Sequence, residues 1–382
     1  MQKISSSSAF ADSKPHYELL DGLRGVAALF VIWYHVFEGF ATSPIDQRLN
    51  HGYMAVDFFF ILSGFVVGYA YDDRWKTMKT KDFFKRRLIR LQPMVVMGAL
   101  LGALTFYIQG CEKWDGSQVS MSMLMLATLL SLFLIPAVPG SGPEVRGNGE
   151  MYPLNGPSWS LFFEYIGNIL YALFLRRLST KALTVLVVLA GAGLASFAIF
   201  NFSGYGHLGV GWTLADNNFL GGFLRVLFSF SMGLLMSRVF KPVKIRGAFW
   251  ICSLAIAAFL AVPYIGDGGA PWMNGIYDSV CTIIIFPILV YLGASGKVTD
   301  KKTTKVCKFL GDISYPLYVV HYPFMYLFYA WIWREGLTFE QSWPMVLVVF
   351  FGNIVLAYLC LKLYDEPVRK WLSKKFLAKK QA

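Results

Sequence analysis

The stretch Leu20-Asp-Gly-Leu-Arg24-Gly-Val-Ala-Ala-Leu-Phe-Val-Ile-Trp-Tyr-His35 predicts a membrane-spanning helix that carries two ionisable side chains. A helix needs about 20 mostly apolar residues to cross a bilayer, and the run through residue 40 supplies them. Arg24 and His35 are eleven positions apart, which at about 100° per residue makes three turns and roughly 20°. Both side chains therefore lie on one face of this helix, about 16 Å apart along its axis.

The rest of the chain has the composition of a polytopic membrane protein. Of 382 residues, 56% are hydrophobic and only 15% are charged, and the mean hydropathy is +0.50. In soluble domains, about a quarter of the residues are charged. Disordered, coiled-coil and collagen-like chains are excluded because their polar, heptad or Gly-X-Y patterns are absent. The five cysteines show no metal-ligand spacing, so we expect packing roles for them and no metal site.

Hydropathy predicts an all-α bundle of about ten transmembrane helices. An eleventh apolar stretch, residues 121–136, is shorter and ends in a segment rich in Pro and Gly. Residues 1–16 form a polar N-terminal segment, and the long apolar run after it lacks the cleavage site of a removable signal peptide. The ten predicted spans are residues 20–40, 53–71, 91–109, 158–175, 182–202, 219–237, 248–264, 276–292, 309–333 and 343–364.

Basic residues orient this bundle. A net charge of +12 would point to nucleic acid in a soluble chain. With ten crossings and a cytoplasmic N-terminus, however, nearly all of the 35 Lys and Arg residues fall on the cytoplasmic side. This positive-inside pattern predicts that both termini are cytoplasmic and gives no reason to expect a nucleic-acid partner. It also makes segment 121–136 a re-entrant or interfacial segment on the outer side, because one more crossing would reverse every later loop. The basic residues that do not fall on the cytoplasmic side are Arg48, Lys113, Arg146 and Arg334, which lie outside, and Arg225, which lies within a helix.

Ionisable residues inside the predicted helices are functional candidates, because lipid makes them costly. Arg24 lies near the cytoplasmic end of the first helix and suits a phosphate or carboxylate, while His35 lies toward the outer half and suits a general base. The alternative is that Arg24 reaches lipid headgroups and His35 bonds between helices. Their spacing alone does not separate these possibilities.

Five further motifs follow the Arg24/His35 helix in order. Together with it they resemble the acyltransferase-3 family of membrane acyltransferases, over residues 17–372, with 373–382 as a basic cytoplasmic tail. Two positions depart from the family pattern: Gln92 stands where Tyr is more common, and Tyr165 stands where a second acid is usual. The motifs are Gly52-Tyr-Met-Ala-Val-Asp57-Phe-Phe-Phe-Ile-Leu-Ser63-Gly64-Phe65, Arg86-Arg87-Leu-Ile-Arg90-Leu-Gln92-Pro93, Trp159-Ser160-Leu161-Phe-Phe-Glu164, Ile313-Ser-Tyr-Pro-Leu-Tyr-Val-Val-His321-Tyr-Pro323 and Glu366-Pro367-Val-Arg369-Lys-Trp371.

The resemblance implies an O-acyltransferase of the bacterial inner membrane. Such an enzyme moves an acyl group, usually acetyl, from cytoplasmic acyl-CoA to a hydroxyl of a cell-surface or exported carbohydrate. Its expected partners are membrane lipid, acyl-CoA, the carbohydrate acceptor and glycan-assembly proteins. His35 would act as the base or accept the acyl group covalently, and Arg24 would hold the donor below it. Arg86, Arg87 and Arg90 would bind the phosphates of CoA, or else anchor the chain at anionic headgroups.

The remaining candidates have less defined roles. Glu164, the third catalytic candidate, has Ser160 at i−4 on the same side; the two face the acceptor or orient His35, or Glu164 only bridges helices. Asp57 begins the second helix and is a partner for its dipole or part of the site. Arg225 pairs with Glu164 or Asp278, or binds an anionic group. Ser63 and Trp159 belong to the motifs as substrate-binding or structural residues, and His321 suits packing more than catalysis.

A carrier or flippase for a lipid-linked glycan or small anion is the rival function, since ten helices with buried charges also describe transporters. The chain has no evident pair of matched broken helices, and its embedded ionisable groups concentrate at the motifs. Both features favour the enzyme. A non-catalytic scaffold in polysaccharide assembly is a third possibility, and it predicts that His35 is dispensable.

Overall fold

The described part of the chain folds into α-helices joined by loops. The computed structural model describes residues 17–297 and 300–377, which contain thirteen α-helices, and the strand-like pairing in them is limited to two isolated bridges. The predicted N-terminal segment 1–16 lies outside the described residues. The helices are α1 (Glu18–Glu38), α2 (Ala55–Tyr71), α3 (Thr80–Ile108), α4 (Met121–Leu132), α5 (Ser158–Leu173), α6 (Thr180–Ile199), α7 (Asn218–Val239), α8 (Ala248–Leu260), α9 (Pro271–Val280), α10 (Phe286–Ser295), α11 (Lys301–Glu335), α12 (Phe339–Cys360) and α13 (Glu366–Phe376).

Eight helical segments of the described chain are long and apolar enough to cross a membrane. The all-helical fold is thus confirmed, but two of the ten predicted spans do not meet this measure. Helix α8 has 13 residues and rises only about 20 Å, against a hydrocarbon core of about 30 Å. Helix α11 has 35 residues, but prolines, His321 and a run of tyrosines make its middle too polar. Helix α4 has 12 residues, in agreement with the prediction that segment 121–136 is not a full crossing.

Two pairs of helices are continuous through π-helical turns. Cys281–Ile285 joins α9 to α10, and Leu361–Asp365 joins α12 to α13. The second join makes one helical segment of 38 residues, from Phe339 to Phe376. This segment continues beyond residue 364, where the last span was predicted to end, and enters the predicted basic tail, residues 373–382. Residues 378–382 of that tail lie outside the described residues.

Helices α2 and α7 form the most extensive helix pair, and glycine allows their close approach. A Cβ atom on Gly64 of α2 would overlap the carbonyl oxygen of Phe230, and one on Gly233 of α7 would overlap the carbonyl oxygen of Ile61. Neither position accepts a side chain unless the two backbones separate. Contacts between small residues are a common way for helices to associate in membranes, where apolar surfaces gain little from leaving lipid.

Helices α1 and α11 form the second extensive pair. A Cβ atom on Gly25 would overlap the carbonyl oxygen of Leu310, so this contact also depends on glycine. The close approach places Arg24 against Ser314 of α11 and, further along, the His35 ring 4.6 Å from the ring of Tyr322. Helix α1 therefore presents both predicted residues toward the interior beside α11.

Candidate active site

Two cavities enter the bundle from its two ends and approach each other near its centre. The first, here the basic cavity, has a volume of about 480 Å³ and lies where α1 and α3 begin and α2 ends. The second, here the histidine cavity, has a volume of about 400 Å³ and lies where α1 ends and α2 begins. Val56 and Tyr318 line both cavities. Only a short constriction therefore separates the two spaces.

The basic cavity gathers guanidinium groups from distant parts of the chain. Arg24 faces it, as the helical spacing predicted; its Nε atom donates to Ser314 Oγ at 2.7 Å, and its guanidinium pairs with Asp21 at 3.1 Å. These contacts hold the Arg24 side chain in place while a quarter of it stays exposed, at 26%. The arginines that line the cavity are Arg24, Arg74, Arg86, Arg87, Arg90 and Arg369.

Arg87 and Arg90 differ in their electrostatic state. The guanidinium of Arg87 lies 2.7 Å from Glu164 Oε1, which also accepts a hydrogen bond from Ser63 Oγ at 2.9 Å. Arg90 is exposed to the cavity and makes no hydrogen bond or ion pair with the described residues. Its charge is available to a ligand, whereas that of Arg87 is compensated.

Glu164 thus bridges α2, α3 and α5, which is the structural alternative considered for it. It lines the basic cavity and not the histidine cavity. Ser160 also lines the basic cavity, and its hydroxyl lies 2.7 Å from that of Tyr318. The expectation that Glu164 and Ser160 orient His35 is wrong, because the hydrogen-bonding partner of the imidazole is another carboxylate.

That carboxylate belongs to Glu38, which was not among the residues predicted from the sequence. The Nδ1 atom of His35 lies 2.7 Å from Glu38 Oε2. Tyr329 donates to the same carboxylate oxygen at 3.2 Å and to the carbonyl oxygen of His35. Since a carboxylate accepts hydrogen bonds, Nδ1 carries the proton and Nε2 is left with a free lone pair. The i, i+3 spacing on one helix was the available signal.

His321 is buried beside this pair. Its ring centroid lies 5.5 Å from that of His35, and its Nδ1 atom lies 3.0 Å from the carbonyl oxygen of Leu317, one helical turn away. Its Nε2 atom is buried and has no partner among the described residues. This placement agrees with the packed role predicted for His321, although only one of its ring nitrogens is hydrogen-bonded.

Arg225 forms a buried ion pair with Asp57. Its NH2 and Nε atoms lie 2.7 Å and 3.1 Å from the two carboxylate oxygens, and both side chains are fully buried. The remaining donors bond the carbonyl oxygens of Val210 and Tyr53. The pairing with Glu164 or Asp278, one of the two alternatives considered for Arg225, is therefore not formed, and Asp57 is more than a helix-dipole partner. The guanidinium also lies 5.1 Å from the ring of Trp159, which lines the histidine cavity.

Arg369, in α13, is a second site residue that the sequence did not single out. It pairs with Asp365 of the second π-helical turn at 2.9 Å. It lines the basic cavity and, with Arg24 and Arg90, a smaller adjoining cavity of about 180 Å³. Its motif was recognised in the sequence, but only the fold shows that the last helix returns to the first and third.

Loops complete the wall of the histidine cavity. Glu150 accepts hydrogen bonds from Tyr326 and Asn148, and burial raises the pKa of its carboxyl group to about 7. Behind it, Arg146 is fully buried and donates to the carbonyl oxygen of Pro153 and to Gln109 Oε1. The sequence placed Arg146 in an outer loop; the structure shows that it anchors this loop against aromatic rings. These rings belong to Phe106, Trp114 and Tyr326, at 5.0, 4.8 and 3.6 Å from the guanidinium carbon.

The two departures from the family pattern contact each other. Tyr165 donates to Gln92 Oε1 at 3.0 Å, and Gln92 Nε2 donates to the carbonyl oxygen of Leu132 at 2.7 Å. An amide at one position and a phenol at the other thus form a hydrogen bond that links α3 to α5.

Comparisons with known proteins identify the family of this chain. Over residues 17–362 the chain matches the model of the acyltransferase-3 family, described as an acyltransferase domain. It is 35% identical over 192 residues to "Protein 2 in picA locus" of Rhizobium radiobacter, covering 48% of this chain and 95% of that protein. It is 26% identical over 325 residues to "Acyltransferase MdmB" of Streptomyces mycarofaciens, covering 79% and 77%.

A shorter match, 39% identical over 82 residues, is to a Staphylococcus aureus (strain COL) protein with a provisional O-acetyltransferase name. It covers 20% of this chain and 12% of that protein. No solved structure matches the chain. Because the family model covers most of the chain, the protein is a membrane acyltransferase that belongs to the acyltransferase-3 family.

Proposed function

We propose that this enzyme transfers an acyl group, most simply acetyl, from acyl-CoA in the basic cavity to a carbohydrate hydroxyl in the histidine cavity. The observation that carries the proposal is the meeting of the two cavities at Val56 and Tyr318, with the free Nε2 atom of His35 on the far side. A donor and an acceptor that enter from opposite ends would meet at this constriction.

The basic cavity suits the donor. CoA is a polyanion, and planar guanidinium groups bind phosphate oxygens with paired hydrogen bonds. Arg90 offers a guanidinium without a direct ion pair among the described residues, and Arg24 and Arg369 lie on the walls of the same space. Arg87, held by Glu164, contributes to the shape of the site more than to its net charge. Metal assistance is not part of the proposal.

Orientation in the membrane follows the charge of the chain. The positive-inside pattern supports an orientation in which the basic cavity opens on the cytoplasmic face of a bacterial inner membrane and both termini are inside. Acyl-CoA is then on the correct side to enter. The long pantetheine arm spans from the arginines toward mid-membrane, so the nucleotide part of CoA does not cross.

The chemistry is an acyl transfer between a thioester and an alcohol. Nε2 of His35 takes the proton of the acceptor hydroxyl while the hydroxyl oxygen attacks the carbonyl carbon of the thioester. The new C–O bond forms and the C–S bond breaks. The departing thiolate of CoA receives the proton from the imidazolium, which leaves an ester and free CoA. Glu38 keeps the Nδ1 proton in place and stabilises the charged ring between these two transfers.

The names of the relatives support the reaction class. Two of the similar proteins carry acyltransferase or O-acetyltransferase names. The wall of aromatic rings in the histidine cavity supports a carbohydrate acceptor, since ring faces pack against the apolar face of a sugar.

The test is mass spectrometry of surface glycans from the host with the wild-type protein, with His35→Ala and without the protein. We expect glycan at the surface in all three, esterified only with the wild type. Full esterification by His35→Ala would contradict the proposal and would favour a scaffold. Loss of glycan from the surface, rather than loss of its esters, would favour a carrier.

A further inference from the structure

We propose that the acceptor bound in the histidine cavity carries a protonated amine and no anionic group, as an amino-substituted carbohydrate does. This inference rests on the proposed function, because it concerns the acceptor of that reaction. It follows from three features of the cavity: the sign of its charges, its aromatic walls and the exposure of one carboxylate.

Two carboxyl groups face the cavity, and because burial raises the pKa of the Glu150 carboxyl to about 7, Glu150 supplies only part of a negative charge at neutral pH. In the described chain, Glu38 and Glu150 line it, and no lysine or arginine does. The histidine that lines it besides His35 is His207, whose Nδ1 atom accepts a hydrogen bond from the backbone N–H of Gly209, so this ring adds no proton on that side. Burial lowers the pKa of His207 to about 4, in agreement with a neutral ring.

The nearest arginines lie behind the wall and are already engaged. Arg225 is neutralised by Asp57. Arg146 donates from Nε and NH1 to Pro153 and Gln109, while its buried NH2 has no hydrogen-bond partner among the described residues and its guanidinium packs on the Tyr326 ring. Neither lines the cavity. Arg146 offsets part of the charge of Glu150, so Glu38 is the less compensated of the two carboxylates. An anionic acceptor would meet like charge here and would gain no arginine in return.

Aromatic rings surround these carboxylates. Tyr322 and Tyr326 have ring centroids 4.6 Å apart, Trp114 and Trp333 5.0 Å, and Tyr329 and Trp333 5.2 Å. All five line the histidine cavity. The faces of such rings attract ammonium groups, and the attraction strengthens when the cation leaves water. Aromatic rings beside a carboxylate therefore bind a cation in preference to a neutral molecule of equal size.

Glu38 can meet a ligand without leaving His35. The carboxylate is 37% exposed, whereas the imidazole is 15% exposed. An ammonium group beside Glu38 would therefore place the rest of the acceptor next to the catalytic histidine. Binding of the ammonium group by Glu38 would then also position the acceptor hydroxyl that receives the acyl group. The two cavities thus sort the substrates by sign, with the polyanionic donor at one end and the cationic acceptor at the other.

The test uses the full chain in detergent and three matched probes: methyl glucoside, its 2-amino-2-deoxy analogue and methyl glucuronide. Binding is followed by tryptophan fluorescence, because Trp114, Trp159, Trp212 and Trp333 line the cavity. We expect the amine to bind about tenfold more tightly than the neutral glycoside, and the glucuronide to bind most weakly. Equal binding of amine and neutral glycoside, tighter binding of the glucuronide, or binding of none of the three would overturn the proposal.

Two further measurements assign the effect. In the double variant Glu38→Gln/Glu150→Gln the advantage of the amine should disappear, while the matched control Glu335→Gln, at the exposed end of α11, should keep it. Added salt should reduce the advantage of the amine in the wild-type protein without any substitution. A preference that survives in the double variant would contradict the assignment to these carboxylates.

Acyl transfer to the bound probes is measured separately with labelled acetyl-CoA and product analysis. If the amine binds as expected but no ester forms on it, the proposed function fails and the binding proposal stands. If esters form equally on all three probes, the proposed function stands and the binding proposal fails.

Discussion

Glu38 Oε2 lies 2.7 Å from His35 Nδ1, three residues earlier in α1, and Tyr329 of α11 donates to both residues. The imidazole is therefore fixed in its tautomer by a residue of its own helix and in its position by a neighbouring one. This arrangement leaves one reactive nitrogen in the histidine cavity.

Replacement of Glu38 by Gln should lower kcat roughly 100-fold or more, because the amide no longer fixes the tautomer or stabilises the imidazolium. The KM for acetyl-CoA should change little, since Glu38 does not line the basic cavity. Steady-state kinetics on purified protein test the split between kcat and KM. A kcat that stays at the wild-type level would remove Glu38 from the mechanism, and Glu335→Gln controls for the loss of one carboxylate.

Replacement of Arg90 by Ala should raise the KM for acetyl-CoA about 10- to 100-fold, the cost of one charge-assisted hydrogen bond to phosphate. The value of kcat should stay near wild type, because Arg90 does not line the histidine cavity. The same loss of charge in Arg177→Ala, at an exposed position after α5, is the matched control. Equal KM values for the two variants would show that Arg90 does not contact the donor.

Protonation of Glu150 should make stability depend on pH. Burial raises the pKa of its carboxyl group from 4.5 to about 7, beside Tyr326, Asn148, Arg146 and Glu38. Between these two pH values the folded protein binds more protons than the unfolded chain, so its contribution to the free energy of unfolding falls as the pH rises. In Glu150→Gln this fall should be absent. Thermal unfolding of both proteins from pH 5 to pH 8 measures the difference, and parallel curves would refute the assignment.

Replacement of Gly64 by Ala should destabilise the bundle by about 1–3 kcal/mol, because the new methyl group forces α2 and α7 apart. Gly352→Ala in α12 is the control: its Cβ would have no neighbour within 4 Å, and alanine is the better helix former. Unfolding of both variants in detergent gives the comparison. An equal effect of the two substitutions would mean that the α2–α7 contact tolerates a side chain.

Removal of one partner of the buried pair Asp57–Arg225 should cost about 3–5 kcal/mol, since the other charge remains uncompensated. Asp57→Asn should therefore unfold at a lower temperature than Asp57→Asn/Arg225→Met, which buries no charge at this position. The thermal midpoints of the two variants decide the matter. A double variant less stable than the single one would show that Arg225 is stabilised without Asp57.

The sequence predicted those parts of the site that one helix encodes. The face shared by Arg24 and His35 follows from helical periodicity, and Glu38 could have been found by the same rule. The pairs Asp57–Arg225 and Arg87–Glu164 and the return of Arg369 to the first helix depend instead on which helices are neighbours. Glycine contacts such as the one at Gly64 decide this, and no local pattern reveals them.

Hydropathy predicted the fold class but not every span. Hydropathy measures apolar composition, so a long buried helix that is rich in tyrosine, such as α11, has too low a hydropathy to count as a membrane span. It also extends α8 past its end at Leu260, because the apolar residues continue after the helix stops. The length and burial of each helix distinguish the short helix α8 from the long buried helix α11, and the sequence does not give either quantity directly.

The constriction at Val56 and Tyr318 has a consequence for the cell. Under the proposed function, the group that passes it is an uncharged acyl chain end on a thioester, which needs no hydration shell. Ions and protons do need one, and Val56 and a single Tyr318 hydroxyl, which is already hydrogen-bonded to Ser160, do not replace it. A membrane that contains this enzyme should therefore keep its ion gradients during turnover, so that acylation outside draws on thioester energy inside without spending the membrane potential.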